Sequence, residues 1–302
     1  MKETAQKKSC HPIIRWVLIV RAYAFPATVI PVLVSLCVAL RQGEEISVIH
    51  LFLVLISGLC LHAGTNLVND YHDFQKGIDR KGEGSSSWAL THELISKRGA
   101  VQLAFSFFGS GFVLGMPLVI SRGWMLLVLG MAGIMGGYFY TAPPVSYKYR
   151  GWGEACVFFL MGPLLCSAAF LGITGKLVGE IILYSLPPAF LVTLILYGNN
   201  LRDIARDRAK GIKTIAIRLG YERARWGYPL LAMGAYGSVI ILYLGQLVTS
   251  RAFLILLPLP LFIMLSHNVL QRDGGKMKDI DIKTANLYFI FGVLYLFGIP
   301  IF

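Results

Sequence analysis

The stretch ISVIHLFLVLISGLCLHAGTNLVNDYHD, from Ile46 to Asp73, decides the fold class. Residues 47–68 contain no Asp, Glu, Lys or Arg, and about 20 apolar residues are enough for a helix to cross a bilayer. A helix satisfies its backbone hydrogen bonds internally, whereas an open strand in lipid cannot. The stretch therefore predicts a membrane-spanning helix that ends in a cluster of amide and acidic side chains.

The composition of the whole chain agrees with this prediction. Of its 302 residues, 56% are hydrophobic and 15% are charged, whereas soluble domains have about 25% charged residues. We predict an all-α, polytopic membrane protein with a single domain over residues 1–302 and polar connections at about 69–99 and 201–226. The nine predicted transmembrane helices lie at about 16–40, 47–68, 100–121, 124–142, 153–173, 178–200, 228–247, 252–270 and 284–302.

The basic residues are concentrated in every second connection between these windows. On one side of the predicted membrane lie 24 of the 28 Lys and Arg residues. Because cytoplasmic loops retain Lys and Arg, this bias predicts a multi-pass protein of the cell membrane with a cytoplasmic N-terminus and both polar connections on the cytoplasmic side. The net charge of +12 then indicates anionic headgroups or a phosphorylated substrate as partners, and no nucleic acid.

Each polar connection begins with amide and acidic side chains at four-residue steps, which places them on one face of a helix. The first set is Asn66, Asn69, Asp70 and Asp73, and the second is Asn199, Asp203 and Asp207. The similarity of the two connections suggests an internal duplication. The apolar segments show no clear repeat, so the sequence leaves that question open.

Two acidic stripes facing each other predict a site for Mg²⁺ and a diphosphate. Mg²⁺ usually takes one or two carboxylates together with water and substrate phosphate oxygens. Interleaved basic residues would neutralise the remaining phosphate charge; they are Lys76, Arg80, Arg202, Arg206 and Lys213. The alternative is a pair of solvated helix ends, but ionisable groups at membrane depth are costly and favour a functional role.

Several motifs resemble those of one known family. Residues 69–73 read NDYHD, residues 199–207 read NNLRDIARD, and residues 211–220 read GIKTIAIRLG. Between the two acidic motifs lie YFYTAPP at 138–144 and YRGWGE at 149–154. With these motifs the chain resembles the UbiA superfamily of intramembrane aromatic prenyltransferases. The second acidic motif is most similar to the menaquinone-pathway branch, whose members prenylate 1,4-dihydroxy-2-naphthoate.

This resemblance implies a nine-helix bundle around a central cavity that opens sideways to lipid. It also implies transfer of an isoprenoid chain from a prenyl diphosphate to an aromatic acceptor through an allylic cation. The implied Mg²⁺ ligands are Asn66, Asn69, Asp70, Asp73, Asp203 and Asp207, of which Asn69, Asp73, Asp203 and Asp207 are the implied catalytic residues. Tyr140 and Lys148 are further candidates for contacting phosphate, and residues 82–87 are a candidate lid.

Three other functions compete with this interpretation. A small-solute transporter would carry polar groups near the middle of the membrane, whereas the predicted spans are nearly free of charge at their centres. A prenyltransferase of ether-lipid synthesis, acting on geranylgeranylglyceryl phosphate, is the alternative within the enzyme class. A lipid-headgroup transferase is disfavoured because the Asp- and Gly-rich signature of such enzymes is absent.

Overall fold

The computed structural model describes residues 11–78, 88–272 and 274–301, and all regular secondary structure in these ranges is helical. Arg80 and the candidate lid at 82–87 lie outside the described residues. The helices are α1 (Pro12–Val20), α2 (Pro26–Arg41), α3 (Val48–Gln75), α4 (Trp88–Thr91), α5 (Lys97–Arg122), α6 (Trp124–Phe139), α7 (Gly153–Phe159), α8 (Leu165–Thr174), α9 (Glu180–Arg202), α10 (Ile204–Ala209), α11 (Ile215–Leu219), α12 (Tyr221–Ala224), α13 (Gly227–Leu244), α14 (Leu259–Leu270), α15 (Gly274–Met277) and α16 (Ile280–Leu296).

Six helical segments among the described residues are long and apolar enough to cross a membrane. They are Ala22–Arg41, Val48–Gln75, Lys97–Arg122, Gly153–Thr174, Glu180–Arg202 and Tyr221–Leu244. A seventh span would combine Ser250–Leu256 with α14, which meet at a 41° bend. The remaining predicted spans coincide with α6 (16 residues) and α16 (17 residues). The polytopic all-α prediction is thus supported, and the number nine stays a prediction.

The first predicted span, which was expected to start near residue 16, is interrupted. Arg21 adopts a left-handed backbone conformation with φ of 54° and separates α1 from the first spanning segment. α1 exposes Ile13, Ile14 and Trp16. α1 is therefore a short helix at the edge of the bundle, where it packs through Ile19 against α3 and α4 and leaves these apolar side chains exposed among the described residues.

Close helix packing in the bundle depends on small residues, as is common for membrane helices. α3 packs against α5, where Gly64 lies against Phe108. The π-helical turn Leu160–Leu164 between α7 and α8 packs against α9 in the same way. A Cβ atom added at Gly162 would lie 2.3 Å from Cβ of Ala189.

The polar connections meet at one end of the bundle. α3 continues as a helix through Gln75, so it carries the whole first acidic cluster. The connection between α6 and α7 contributes Tyr149, which forms a small apolar cluster with Ile78 and Ile212 from the other two connections. The backbone N–H of Lys213 donates to the carbonyl of Tyr149 over 3.1 Å. Three segments distant in sequence are therefore joined at the end where the acidic stripes lie.

Candidate active site

Asp73 lies at the centre of the first half of the site. Its side chain is 1% exposed, and its Oδ2 accepts from Nζ of Lys148 over 2.5 Å. Its Oδ1 accepts from the hydroxyl of Tyr149 over 2.8 Å. Lys148 also donates to Oδ1 of Asn69 over 2.9 Å. One turn of α3 and the α6–α7 connection thus share a buried ion pair whose charge-assisted hydrogen bonds fix its geometry.

Asn66 and Asp70 have different partners from the rest of the first cluster. Nδ2 of Asn66 donates to the carbonyl of Val20 over 3.1 Å, and Asp70 forms a buried ion pair with Arg21. Val20 is the last residue of α1, and Arg21 begins the irregular turn between α1 and α2. The predicted ligand set of α3 is therefore divided, with one pair towards Lys148 and the other towards the N-terminal segment.

The second cluster lies where α9 ends. Asp203 lies between α9 and α10. Its N–H still donates to the carbonyl of Asn199 over 3.0 Å, and the N–H of Asp207 donates to the carbonyl of Asp203 over 2.8 Å. The four-residue spacing is thus preserved across the junction with α10. Oδ2 of Asp203 accepts from Nη2 of Arg202 over 2.8 Å and from Nη2 of Arg206 over 2.6 Å.

Asp207 connects the two halves electrostatically. The pKa of Asp207 is raised to about 6, mainly by burial and by the negative charge of Asp203. Asp73 raises this pKa further, whereas Arg206 and Lys148 lower it. The pKa of Asp207 therefore depends on charges from both acidic clusters. Like charges gathered out of water favour protonation or a cation, so this carboxyl group is suited to binding a positive ion.

The other predicted phosphate-binding residues surround this centre. Nζ of Lys76 lies 3.9 Å from the ring centroid of Tyr149, and Nζ of Lys148 lies 5.6 Å from that of Tyr140. Arg202 is also bound to Asp281 over 2.6 Å. Lys213 contacts the α6–α7 connection through its backbone, whereas its side chain is exposed, so its predicted contact with phosphate stays a prediction. Lys76, Lys148 and Arg202 thus each have an aromatic or acidic neighbour that limits their position.

The donor chemistry fits Mg²⁺ shared with a phosphorylated substrate. Within residues 11–78, 88–272 and 274–301, no three His, Cys, Asp or Glu side chains are grouped so that they could hold a metal ion on their own. The acidic and amide oxygens of Asn69, Asp73, Asp203 and Asp207 are the hard donors that Mg²⁺ prefers. Mg²⁺ is usually held by one or two carboxylates, with water and phosphate completing its shell.

Comparison with known proteins identifies the family. Residues 28–290 match the model of the UbiA prenyltransferase family. The chain belongs to this family. The resemblance inferred from the sequence motifs is therefore confirmed.

Two relatives within the UbiA prenyltransferase family match nearly the whole chain. The 1,4-dihydroxy-2-naphthoate octaprenyltransferase of Bacillus subtilis is 29% identical, and the alignment covers 99% of this chain and 96% of the relative. The UbiA prenyltransferase domain-containing protein 1 of Xenopus tropicalis is 30% identical, with 99% and 84% covered.

Two solved UbiA structures have the same fold. The apo UbiA homolog from Aeropyrum pernix K1 superposes with a TM-score of 0.70 at 15% identity, covering 91% of this chain and 97% of its own. The UbiA homolog from Archaeoglobus fulgidus bound to GPP and Mg²⁺ gives a TM-score of 0.57 at 18% identity, covering 93% and 99%.

Sequence reasoning missed several residues of this UbiA site. Tyr149 and Glu154 lie in a motif used for the resemblance, but neither was assigned a role. Oε1 of Glu154 accepts from Nδ2 of Asn200 over 2.9 Å, joining α7 to α9. Arg21 was counted among the basic residues but was not assigned to the site. It lies 49 residues from Asp70, and no sequence pattern indicates that the two side chains form an ion pair. Such pairs depend on tertiary structure.

Proposed function

We propose that this chain moves an isoprenoid group from a prenyl diphosphate to 1,4-dihydroxy-2-naphthoate, as a step of menaquinone biosynthesis. The observation that carries the proposal is the buried contact of Lys148 with Asn69 and Asp73, coupled by charge to Asp207 on the other stripe. Membership of the UbiA prenyltransferase family supports the prenyl transfer. The Bacillus subtilis relative, which is named for this acceptor, supports the choice of substrate.

Three cations are suited to bind the diphosphate. Lys148, Arg206 and Lys76 lie beside the acidic groups, and the first two form ion pairs with them. In a buried site a diphosphate attracts these cations more strongly than in water, because the local dielectric constant is lower. Carboxylates alone would repel the substrate, so the cations and a bound metal ion are both needed for its affinity.

Asn69, Asp73, Asp203 and Asp207 would hold Mg²⁺. The Archaeoglobus fulgidus homolog bound to GPP and Mg²⁺ supports this assignment. Bound Mg²⁺ supplies positive charge that stabilises the leaving diphosphate. Asn66 and Asp70 stay predictions as ligands, because in this structure Asn66 contacts Val20 and Asp70 contacts Arg21.

The reaction is a heterolytic substitution at an allylic carbon. The C–O bond of the prenyl diphosphate breaks, the electron pair leaves with the diphosphate, and an allylic cation remains. The electron-rich ring of the acceptor attacks the cation, and loss of carbon dioxide and a proton restores aromaticity. Lys148 and Arg206 neutralise the leaving group, a type of electrostatic stabilisation that often dominates catalysis. Asp73 and Asp207 are buried, which favours a site from which water, which would quench the cation, is excluded.

We place this site on the cytoplasmic side of the cell membrane, in a bundle of nine transmembrane helices with a central cavity and a cytoplasmic N-terminus. The concentration of Lys and Arg in the connections on one side of the predicted membrane supports this orientation. An isoprenoid tail is apolar, so it can remain in the lipid while its diphosphate reaches the polar end of the bundle. The bilayer is thus a partner in substrate delivery.

A transfer assay tests the proposal. The purified protein is incubated with Mg²⁺, a radiolabelled prenyl diphosphate and one acceptor at a time: 1,4-dihydroxy-2-naphthoate, 4-hydroxybenzoate or geranylgeranylglyceryl phosphate. We expect a labelled product with the naphthoate and its loss on addition of a chelator. The double variant Asp73→Asn, Asp207→Asn should lose activity.

Glu44→Gln is the matched control, because it neutralises an acid in the loop between α2 and α3, where Glu44 pairs with Lys176. Transfer only to the glyceryl phosphate would refute the acceptor assignment. Full activity in the double variant would refute the site.

A further inference from the structure

A groove runs along the surface between α13 and α14. It encloses about 620 Å³ and is lined almost entirely by apolar side chains, among them Pro229, Ala232, Tyr236 and Phe262. The segment Ser250–Leu256, which meets α14 at a 41° bend next to Pro258, also lines the groove. We refer to this feature as the α13–α14 groove. Met233 and Ile263 along its rim are mostly exposed, so the groove faces the lipid.

Two arginines lie beside Leu270, at one end of the α13–α14 groove. Nη1 of Arg225 donates to the carbonyl of Leu270, which lines the groove, over 2.9 Å. The guanidinium of Arg272 lies 4.9 Å from the ring centroid of Tyr221, and the Tyr221 hydroxyl donates to the carbonyl of Val269 over 2.7 Å. Arg225 and Arg272 are therefore held near each other around one aromatic ring.

This end carries a net positive charge. The carboxylate paired with Arg225 is Glu222 at 2.9 Å, and the Glu222 side chain is 68% exposed. An exposed pair of this kind is weak because water screens it. Nε of Arg225 is buried and has no hydrogen-bond partner among the described residues. The Arg225 side chain is 29% exposed and Arg272 is exposed, so an anion at this end of the groove can reach both guanidinium groups.

We propose that the α13–α14 groove binds one anionic phospholipid, with an acyl chain in the groove and the phosphate at Arg225 and Arg272. α14 has 12 residues, so it is about 18 Å long, which is close to half of a hydrocarbon core of about 30 Å. The groove therefore matches a lipid of a single leaflet, with its headgroup at the polar end. Basic pockets between transmembrane helices are known to bind such headgroups.

Competitive retention of lipids tests the proposal. The full-length protein is purified in mild detergent, mixed with equal amounts of phosphatidylglycerol and phosphatidylcholine, and analysed by native mass spectrometry. We expect one phosphatidylglycerol per chain to be retained in preference to phosphatidylcholine. The double variant Arg225→Gln, Arg272→Gln should lower this retention by about 30-fold, since each basic residue near a membrane surface contributes about 1 kcal/mol.

Two further variants separate the site from general effects. Arg223→Gln removes one charge from the same short helix α12, where Arg223 is exposed, and we expect retention within twofold of the unmodified chain. Ser266→Trp fills the groove without changing its charge and should lower retention of phosphatidylglycerol. Equal retention of both lipids by the unmodified chain would overturn the proposal, as would an equal loss in Arg223→Gln. Displacement of the lipid by added prenyl diphosphate would also overturn it, by assigning the groove to substrate.

Discussion

Replacing Lys148 with methionine removes the cation that joins the two oxygen donors Asn69 and Asp73. The Lys148 side chain is 18% exposed and that of Asp73 is 1% exposed, so the substitution leaves a buried carboxylate without its counter-ion. Truncating one member of a buried, hydrogen-bonded charge pair costs about 2–5 kcal/mol. The partial exposure of Lys148 favours the lower part of this range, about 2–3 kcal/mol, which corresponds to about 30- to 150-fold in kcat/KM.

The assay is prenyl transfer to 1,4-dihydroxy-2-naphthoate at subsaturating prenyl diphosphate. The change Lys176→Met is the matched control, because Lys176 forms an ion pair with Glu44 over 2.6 Å but is 62% exposed. Such surface pairs contribute about 0–1 kcal/mol, so we expect activity close to that of the unmodified protein. A double-mutant cycle with Asp73→Asn measures the coupling between the two residues, which should be strongly non-additive. Activity of Lys148→Met within threefold of the unmodified protein, or additive effects in the cycle, would refute the reasoning.

Three further predictions concern the same site and the bundle beneath it. Because the pKa of Asp207 is raised to about 6, protons compete with Mg²⁺ below that pH, and calorimetric Mg²⁺ affinity in the presence of diphosphate should fall about fivefold between pH 6 and 5. Tyr149→Phe removes a charge-assisted hydrogen bond to Asp73 and should weaken the same affinity by about tenfold. Gly162→Ala should lower the melting temperature by several degrees, because the added Cβ atom would clash with Cβ of Ala189.

Each of these predictions has a control. Asp207→Asn should remove the acid limb of the pH dependence, and persistence of that limb would assign it to another group. Tyr147→Phe removes another hydroxyl of the α6–α7 connection, which donates to the carbonyl of Gly136, and an equal loss there would contradict the specific role of Tyr149. Gly130→Ala adds a methyl group where nothing lies within 4 Å. If both glycine variants melt alike, the packing argument is wrong.

The order of helices and the position of the acidic stripes could be predicted because both depend on local patterns. Continuous apolar runs marked the spans, and four-residue spacing placed Asn69 with Asp73 on one face of α3. Helix ends were less predictable. The predicted span 124–142 corresponds to α6, which ends at Phe139. Pro143 and Pro144 follow, and proline cannot continue a helix.

Contacts between distant segments could not be read from the sequence. Tyr149 and Asp73 are 76 residues apart, and their hydrogen bond depends on how the α6–α7 connection folds over α3. Likewise, no pattern indicated that Arg21 would adopt a left-handed conformation and approach Asp70. Spacing rules describe neighbours along one helix, whereas these pairs are set by the packing of whole helices.

The apolar cluster of Ile78, Tyr149 and Ile212 has a consequence for protein engineering. It joins three loops into one small core at one end of the bundle, so their sequences are not independent of one another. A combinatorial library that randomises a single loop should lose most of its members to misassembly, whereas one that varies all three positions together should retain folded clones. Attempts to transfer a new acceptor preference into this scaffold are best made by exchanging the loops as a set.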